Sequence, residues 1–137
     1  MRDIGVVTLP ITKDNKLDGL ITIADIATSY MDVHDSTTLS TARTVCRNIV
    51  ETLDGELIIG DELHVFDRGK VLVAAANPDL MESYIKMGDI VILGNRYESQ
   101  LCAIEMQAGC IVVCEGAPVS MTIKKLAVEN HCTIIST

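Results

Sequence analysis

Gly88-Asp89-Ile90-Val91-Ile92-Leu93-Gly94-Asn95-Arg96, Gly109-Cys110-Ile111-Val112-Val113-Cys114-Glu115-Gly116 and Asn130-His131-Cys132-Thr133-Ile134-Ile135-Ser136-Thr137 repeat one pattern. Each is a short run rich in Val and Ile opened by Gly or Asn, and the openings at 88, 109 and 130 are 21 residues apart with helix-like sequence between. That spacing is the signature of a parallel sheet with helical crossovers. Ligands of open parallel sheets sit beyond the carboxyl ends of the strands. The loop Gly94-Asn95-Arg96 is therefore the first place to look for chemistry or contacts.

The segments between the strands support this reading. Tyr97, Leu101, Ile104 and Ala108 fall on one helical face before Gly109, and Val119, Ile123, Leu126 and Ala127 on another before Asn130. Upstream, Val71 to Ala75 reads as a strand. Asn77-Pro78-Asp79 is a helix start with a cap, a proline in the first turn and an acid at the positive helix end. Leu80, Tyr84 and Met87 then line one face, with Met81 and Ile85 beside it. Near-continuous apolar strands require cover on both sides and right-handed crossovers, which predicts an α/β layered domain with a mainly parallel sheet and helices on both faces.

Further upstream, His34 to Thr41 is polar and rich in Ser and Thr, and marks a boundary between residues 1–35 and 36–137. The next helix has Thr38 or Ser40 as candidate N-cap and Ala42, Val45, Ile49 and Leu53 on one face, ending at Asp54-Gly55 with the glycine left-handed. Glu56 to Gly60 reads as a strand, and Phe66 to Gly69 as a turn. The first 35 residues differ. Val6 to Pro10 and Leu17 to Thr22 are strands around a Lys13-Asp14-Asn15-Lys16 turn, followed by a helix carrying Ile23, Ile26, Ala27 and Tyr30. Two strands and a helix leave an apolar face bare, so this piece needs a partner in its own chain or another.

With 137 residues the chain holds one domain, or one domain and a fragment of another. Hydrophobic residues make up 48% and aromatics 3%, so aliphatic side chains must fill the core. The net charge of −8, with no basic cluster beyond Lys124-Lys125, argues against nucleic acid as a partner. No apolar run approaches the roughly 20 residues of a membrane helix. Arg2-Asp3 does not open a signal sequence, so a soluble cytoplasmic protein without a membrane partner is expected. The five cysteines at 46, 102, 110, 114 and 132 lie in apolar runs without a Cys-x-x-Cys pair, and read as buried reduced thiols.

Two constellations could carry function. In Gly19-Leu20-Ile21-Thr22-Ile23-Ala24-Asp25 a hydroxyl at a helix start could donate to a phosphate, and a carboxylate three residues on could accept from ribose hydroxyls. The competing reading makes Thr22 an N-cap and Asp25 its reciprocal partner in a capping box. In the second, Arg96 at a helix N-terminus opposes the macrodipole and calls for an anion, a partner carboxylate or Glu98 as compensation. Asn95 and Arg96 thus read as a loop or interface contact.

Leu9-Pro10, the Asp14-Asn15-Lys16-Leu17 turn and Gly19 to Ile26 resemble the second half of a cystathionine-β-synthase (CBS) domain. That family's Gly-hydrophobic-x-Thr/Ser-x-x-Asp motif contacts the ribose and phosphate of adenine nucleotides, which implies Thr22 and Asp25, with Leu9 and Pro10, as nucleotide-binding residues. Asn48 to Glu56, Gly88 to Arg96, Cys114 to Ser120 and the closing Thr133 to Thr137 resemble, in that order, a DRTGG domain. Members often carry Gly-Asp-Arg where this chain has Gly94-Asn95-Arg96, and Thr-Gly-Gly where it has Cys114-Glu115-Gly116.

A partial CBS unit followed by a DRTGG domain resembles the regulatory insert of manganese- or cobalt-dependent family II inorganic pyrophosphatases. The resemblance implies AMP, ADP, ATP or diadenosine polyphosphates as regulatory ligands, homodimer contacts through the DRTGG domain, and catalytic domains elsewhere in the parent chain. Here His34, His64 and His131 lie far apart, and the residues assign no catalytic group, metal ligand or cofactor. Two alternatives remain: a structural dimerisation module without ligand, and a small transferase-like enzyme using the loop 94–100.

Overall fold

The computed structural model describes residues 8–31, 37–74 and 76–137. Strands β1 (Thr8–Lys13) and β2 (Lys16–Thr22) form an antiparallel hairpin. Its turn residues Asp14 and Asn15 both adopt positive φ, 51° and 58°, the pairing that matches the twist of a tight hairpin. Helix α1 (Ile23–Met31) follows directly and lies against the edge of the main sheet at β6. The strand start at Val6-Val7, His34, the 35/36 boundary, the strand end at Ala75 and the side chains of Ala27 and Tyr30 lie outside the described residues.

The helix expected across residues 38–53 is broken. A single turn, α2 (Thr38–Thr41), gives way at Arg43, whose φ of 53° no helix accommodates. A two-residue strand β3 (Thr44–Val45) follows, and only then does α3 (Cys46–Thr52) begin. At its end Asp54, not Gly55, takes the left-handed conformation, with φ 50°. Gly55 answers a different demand, because a Cβ there would stand 2.7 Å from the Ser136 carbonyl oxygen.

The main sheet contains β4 (Glu56–Ile59), β6 (Val71–Val73), β7 (Ile90–Leu93), β8 (Cys110–Val113) and β9 (Thr133–Ser136) in the order β4-β9-β8-β7-β6. The last four run parallel, and β4 closes the far edge antiparallel to β9. Strand β5 (Val65–Phe66) pairs with β3, so Phe66 belongs to a small ribbon rather than to the expected turn. The crossovers are α4 (Pro78–Tyr84), α5 (Tyr97–Glu105) and α6 (Met121–Glu129). Asn77 and Ser120 cap α4 and α6 by accepting from the Leu80 and Ile123 amides.

Side chains alternate strictly between the two faces. Leu72, Val91, Leu93, Ile111, Val113 and Ile134 pack beneath α4, α5 and α6 through Met81, Ile85, Cys102, Ala103, Ile104, Ile123 and Ala127. Ile90, Cys110, Val112 and Ile135 point the other way, onto Cys46 and Ile49 of α3 and onto Phe66. On α4 the buried face is Met81 and Ile85, while Leu80 and Tyr84 are half-buried and Met87 is exposed, because the helix ends at Tyr84. Where β6 and β7 begin, Gly69 lies so close to Gly88 that a Cβ would collide with its backbone. The fully buried Asp89 secures this crossing by accepting from the Lys70 amide at 2.9 Å and the Lys86 amide at 2.8 Å.

Candidate functional site

The hairpin register brings one set of expected site residues together. Thr8 stands opposite Thr22, Leu9 opposite Ile21 and Pro10 opposite Leu20, so Leu9 and Pro10 lie beside the strand end from which α1 starts. Thr22 is half-buried and Asp25 exposed. The Asp25 carboxylate accepts from the Thr22 amide at 2.7 Å and the Thr22 hydroxyl at 2.8 Å, and the Asp25 amide donates back to that hydroxyl at 3.2 Å. This is a reciprocal cap, closed on itself. The same bonds, that from the Thr22 backbone first, lower the Asp25 pKa.

Asn95 and Arg96 occupy a different end of the molecule. Both are exposed, beyond the carboxyl end of β7. Arg96 holds the N-cap position of α5 without a side-chain cap, and among the described residues it forms no salt bridge with Glu98 or any other acid. Asn95 lines a cleft of about 580 Å³ over the ends of β6, β7 and β8, together with Gly94, Glu115 and Gly116. Gln100, buried on α5, donates to the Gly94 carbonyl at 3.1 Å and fixes that loop. Glu115 and Gly116 both have positive φ, 63° and 59°.

Four thiols are core groups. Burial pushes the Cys132 thiol up to about 12 and Cys110 well above its ordinary value, and raises Cys46 and Cys102. Only Cys114 reaches partial exposure, at the mouth of the 580 Å³ cleft. Among the described residues no group of three or more His, Cys, Asp and Glu side chains could hold a metal ion, and no helix is long and apolar enough to cross a membrane. A feature that the sequence did not announce is an apolar groove of about 210 Å³ on the α3 side of the sheet. Its floor is made of β-branched residues that sequence periodicity assigned simply to the core.

Residues 48–137 match the model of the DRTGG domain. The chain belongs to the DRTGG-domain family. Over its whole length this DRTGG-domain chain is 37% identical to a cobalt-dependent inorganic pyrophosphatase of Clostridium perfringens, of which it covers 25%. Over 98% of its length it is 24% identical to a probable manganese-dependent inorganic pyrophosphatase of Thermotoga maritima, again covering 25%. The chain thus spans about a quarter of these curated relatives. It also superposes, with a TM-score of 0.71 and 36% identity, on a crystal structure of the CBS and DRTGG domains of the regulatory region of C. perfringens pyrophosphatase. That structure holds the activator diadenosine tetraphosphate; the match covers all of this chain and 60% of that one. The part of the pyrophosphatase matched is its regulatory region and not its catalytic domains.

Proposed function

We propose that this DRTGG-domain chain is the regulatory region, or part of it, of a manganese- or cobalt-dependent inorganic pyrophosphatase working in the cytoplasm. In this reading residues 1–35 are the C-terminal half of a CBS domain and 36–137 the DRTGG domain. Adenine nucleotides such as AMP, ADP, ATP or diadenosine polyphosphates bind at Thr22 and Asp25, with Leu9 and Pro10 against them. The DRTGG domain pairs with a second copy, and the signal reaches catalytic domains of the parent chain. The observation that carries this reading is the end-to-end match to a regulatory region solved with its activator.

The geometry suggests how such a ligand would be held. Its phosphate would accept the hydrogen bond that the Thr22 hydroxyl now donates to Asp25, and the Asp25 carboxylate, still held by the Thr22 amide, would accept from a ribose hydroxyl. Titration calorimetry of the complete regulatory region with AMP and ATP tests the proposal. Binding that falls at least tenfold in Thr22→Ala and Asp25→Ala is expected; no binding, with the dimer intact, sinks the sensing role. The isolated 137-residue chain should bind weakly or not at all, since only part of a CBS unit is present. Micromolar affinity there would contradict the half-site assignment.

A second reading rests on the closed Thr22–Asp25 cap, which needs no ligand to be satisfied. On that reading the chain is a structural dimerisation module. It predicts that the two alanine variants lower stability by about 1 kcal/mol, as lost caps do, and leave nucleotide response unchanged.

A further inference from the structure

One short helix touches both the Thr22–Asp25 pair and the α/β sheet. Thr22 ends β2 and Asp25 stands in the first turn of α1, and three hydrogen bonds of 2.7, 2.8 and 3.2 Å close the helix start. From that cap α1 runs on to lie against β6 of the main sheet. The hairpin on one side and the sheet on the other are thus in contact with the same helix.

Strand β6 is placed to register a shift of α1. It is an edge of the sheet, paired with β7 alone. Its amino end is pinned, because Asp89 accepts from the Lys70 amide, the Lys70 carbonyl accepts from the Ile90 amide at 2.8 Å, and Gly69 abuts the Gly88 backbone. Its carboxyl end borders open space. Val73 and Ala74 line the cleft of about 580 Å³ that Asn95 and Cys114 also line. An edge strand fixed at one end moves most at the other.

The cap itself has two states that differ in a named bond. Without a ligand the Thr22 hydroxyl donates to Asp25; a bound phosphate takes that hydrogen bond and leaves the first turn of α1 with one fewer. A ligand shifts an element only through a differential contact of this kind. We propose that α1 transmits occupancy of the Thr22–Asp25 site to β6, and through β6 to the cleft at the carboxyl ends of β6, β7 and β8. The inference rests on the nucleotide reading above and supplies the route by which that site reaches the DRTGG domain. Cys114 is a built-in reporter, partly exposed at the cleft mouth while the other four thiols are buried.

Thiol alkylation and amide hydrogen exchange of the complete regulatory region, with and without AMP, test this, with calorimetry reporting occupancy in the same samples. Saturating AMP should change the Cys114 alkylation rate and the exchange of amides 71–74 by about fivefold or more, the scale of an allosteric coupling. A second arm breaks the cap without a ligand. Asp25→Ala in the 137-residue chain should move both readouts in the same direction, whereas Asp18→Ala, an exposed position on β2, should move neither. If AMP binds and either arm leaves Cys114 and β6 unchanged, the route through α1 is wrong and the nucleotide reading stands. If AMP does not bind, the nucleotide reading falls and the route with it. Exchange that rises equally in β8 and β9 would mark a general loosening and overturn the proposal.

Discussion

Asp89 shows how much one buried side chain settles. Its carboxylate satisfies two backbone amides, of Lys70 and Lys86, where β6 and the loop after α4 converge on β7. Asp89→Ala would leave both amides without their acceptor, and chemical denaturation should report a loss of about 2–4 kcal/mol. Asp89→Asn keeps an acceptor for one amide and should cost less. The thiols make a second prediction. Cys132 is held protonated to about pH 12, whereas an unfolded thiol ionises near 9. Its stabilising contribution is complete below pH 9 and is lost as pH rises toward 12, because the unfolded chain releases its proton first. Denaturation midpoints should therefore fall across that window. At neutral pH, mass spectrometry after brief alkylation should find Cys114 modified and Cys46, Cys102, Cys110 and Cys132 protected. Burial of four thiols was legible from the apolar runs around them, whereas Cys114, expected to be buried as well, is partly exposed because it sits just past the end of β8. The acceptor role of Asp89 was not legible, since nothing local marks which distant amides a carboxylate will meet.

Among the elements, the three strands from β7 onward and the two helices between them were readable because each carries its own punctuation. Gly or Asn opens each strand, and Val and Ile fill it. Asn77 is a cap in sequence and in structure, and the structure adds Ser120 as the cap of α6. Asn77→Ala should cost about 1 kcal/mol in thermal or chemical unfolding. The stretch 38–53 was misread for an equally physical reason. Ala42, Val45, Ile49 and Leu53 fit a helical face, but Val45 serves β3 against Val65 and Arg43 breaks the chain direction with a left-handed residue. Periodicity records which side chains seek the core, not whether the backbone between them is continuous. Gly69 is a position where only glycine fits, with φ 84° and the Gly88 backbone against its missing Cβ. Gly69→Ala should destabilise by more than about 2 kcal/mol, or prevent the native fold, as read by circular dichroism and denaturation.

For the whole molecule, the layered architecture followed from spacing, whereas the groove beside α3 did not, because the shortness of its cover depends on where a helix stops. The Thr22–Asp25 constellation was visible as a motif, and the structure adds that Leu9 and Pro10 lie on the neighbouring strand and that the pair is bonded to itself. The edge pairing of β4 with β9 has a kinetic consequence. Strands β6 to β9 join successive neighbours along the chain, each reached through one short helix, whereas Glu56 to Ile59 must wait for Thr133 to Ser136, more than 70 residues later. Loop-closure entropy makes that contact the late step of folding. During synthesis β4 leaves the ribosome long before its partner exists, and its half-buried Leu57, Ile58 and Ile59 stay open to other strands until the final one arrives.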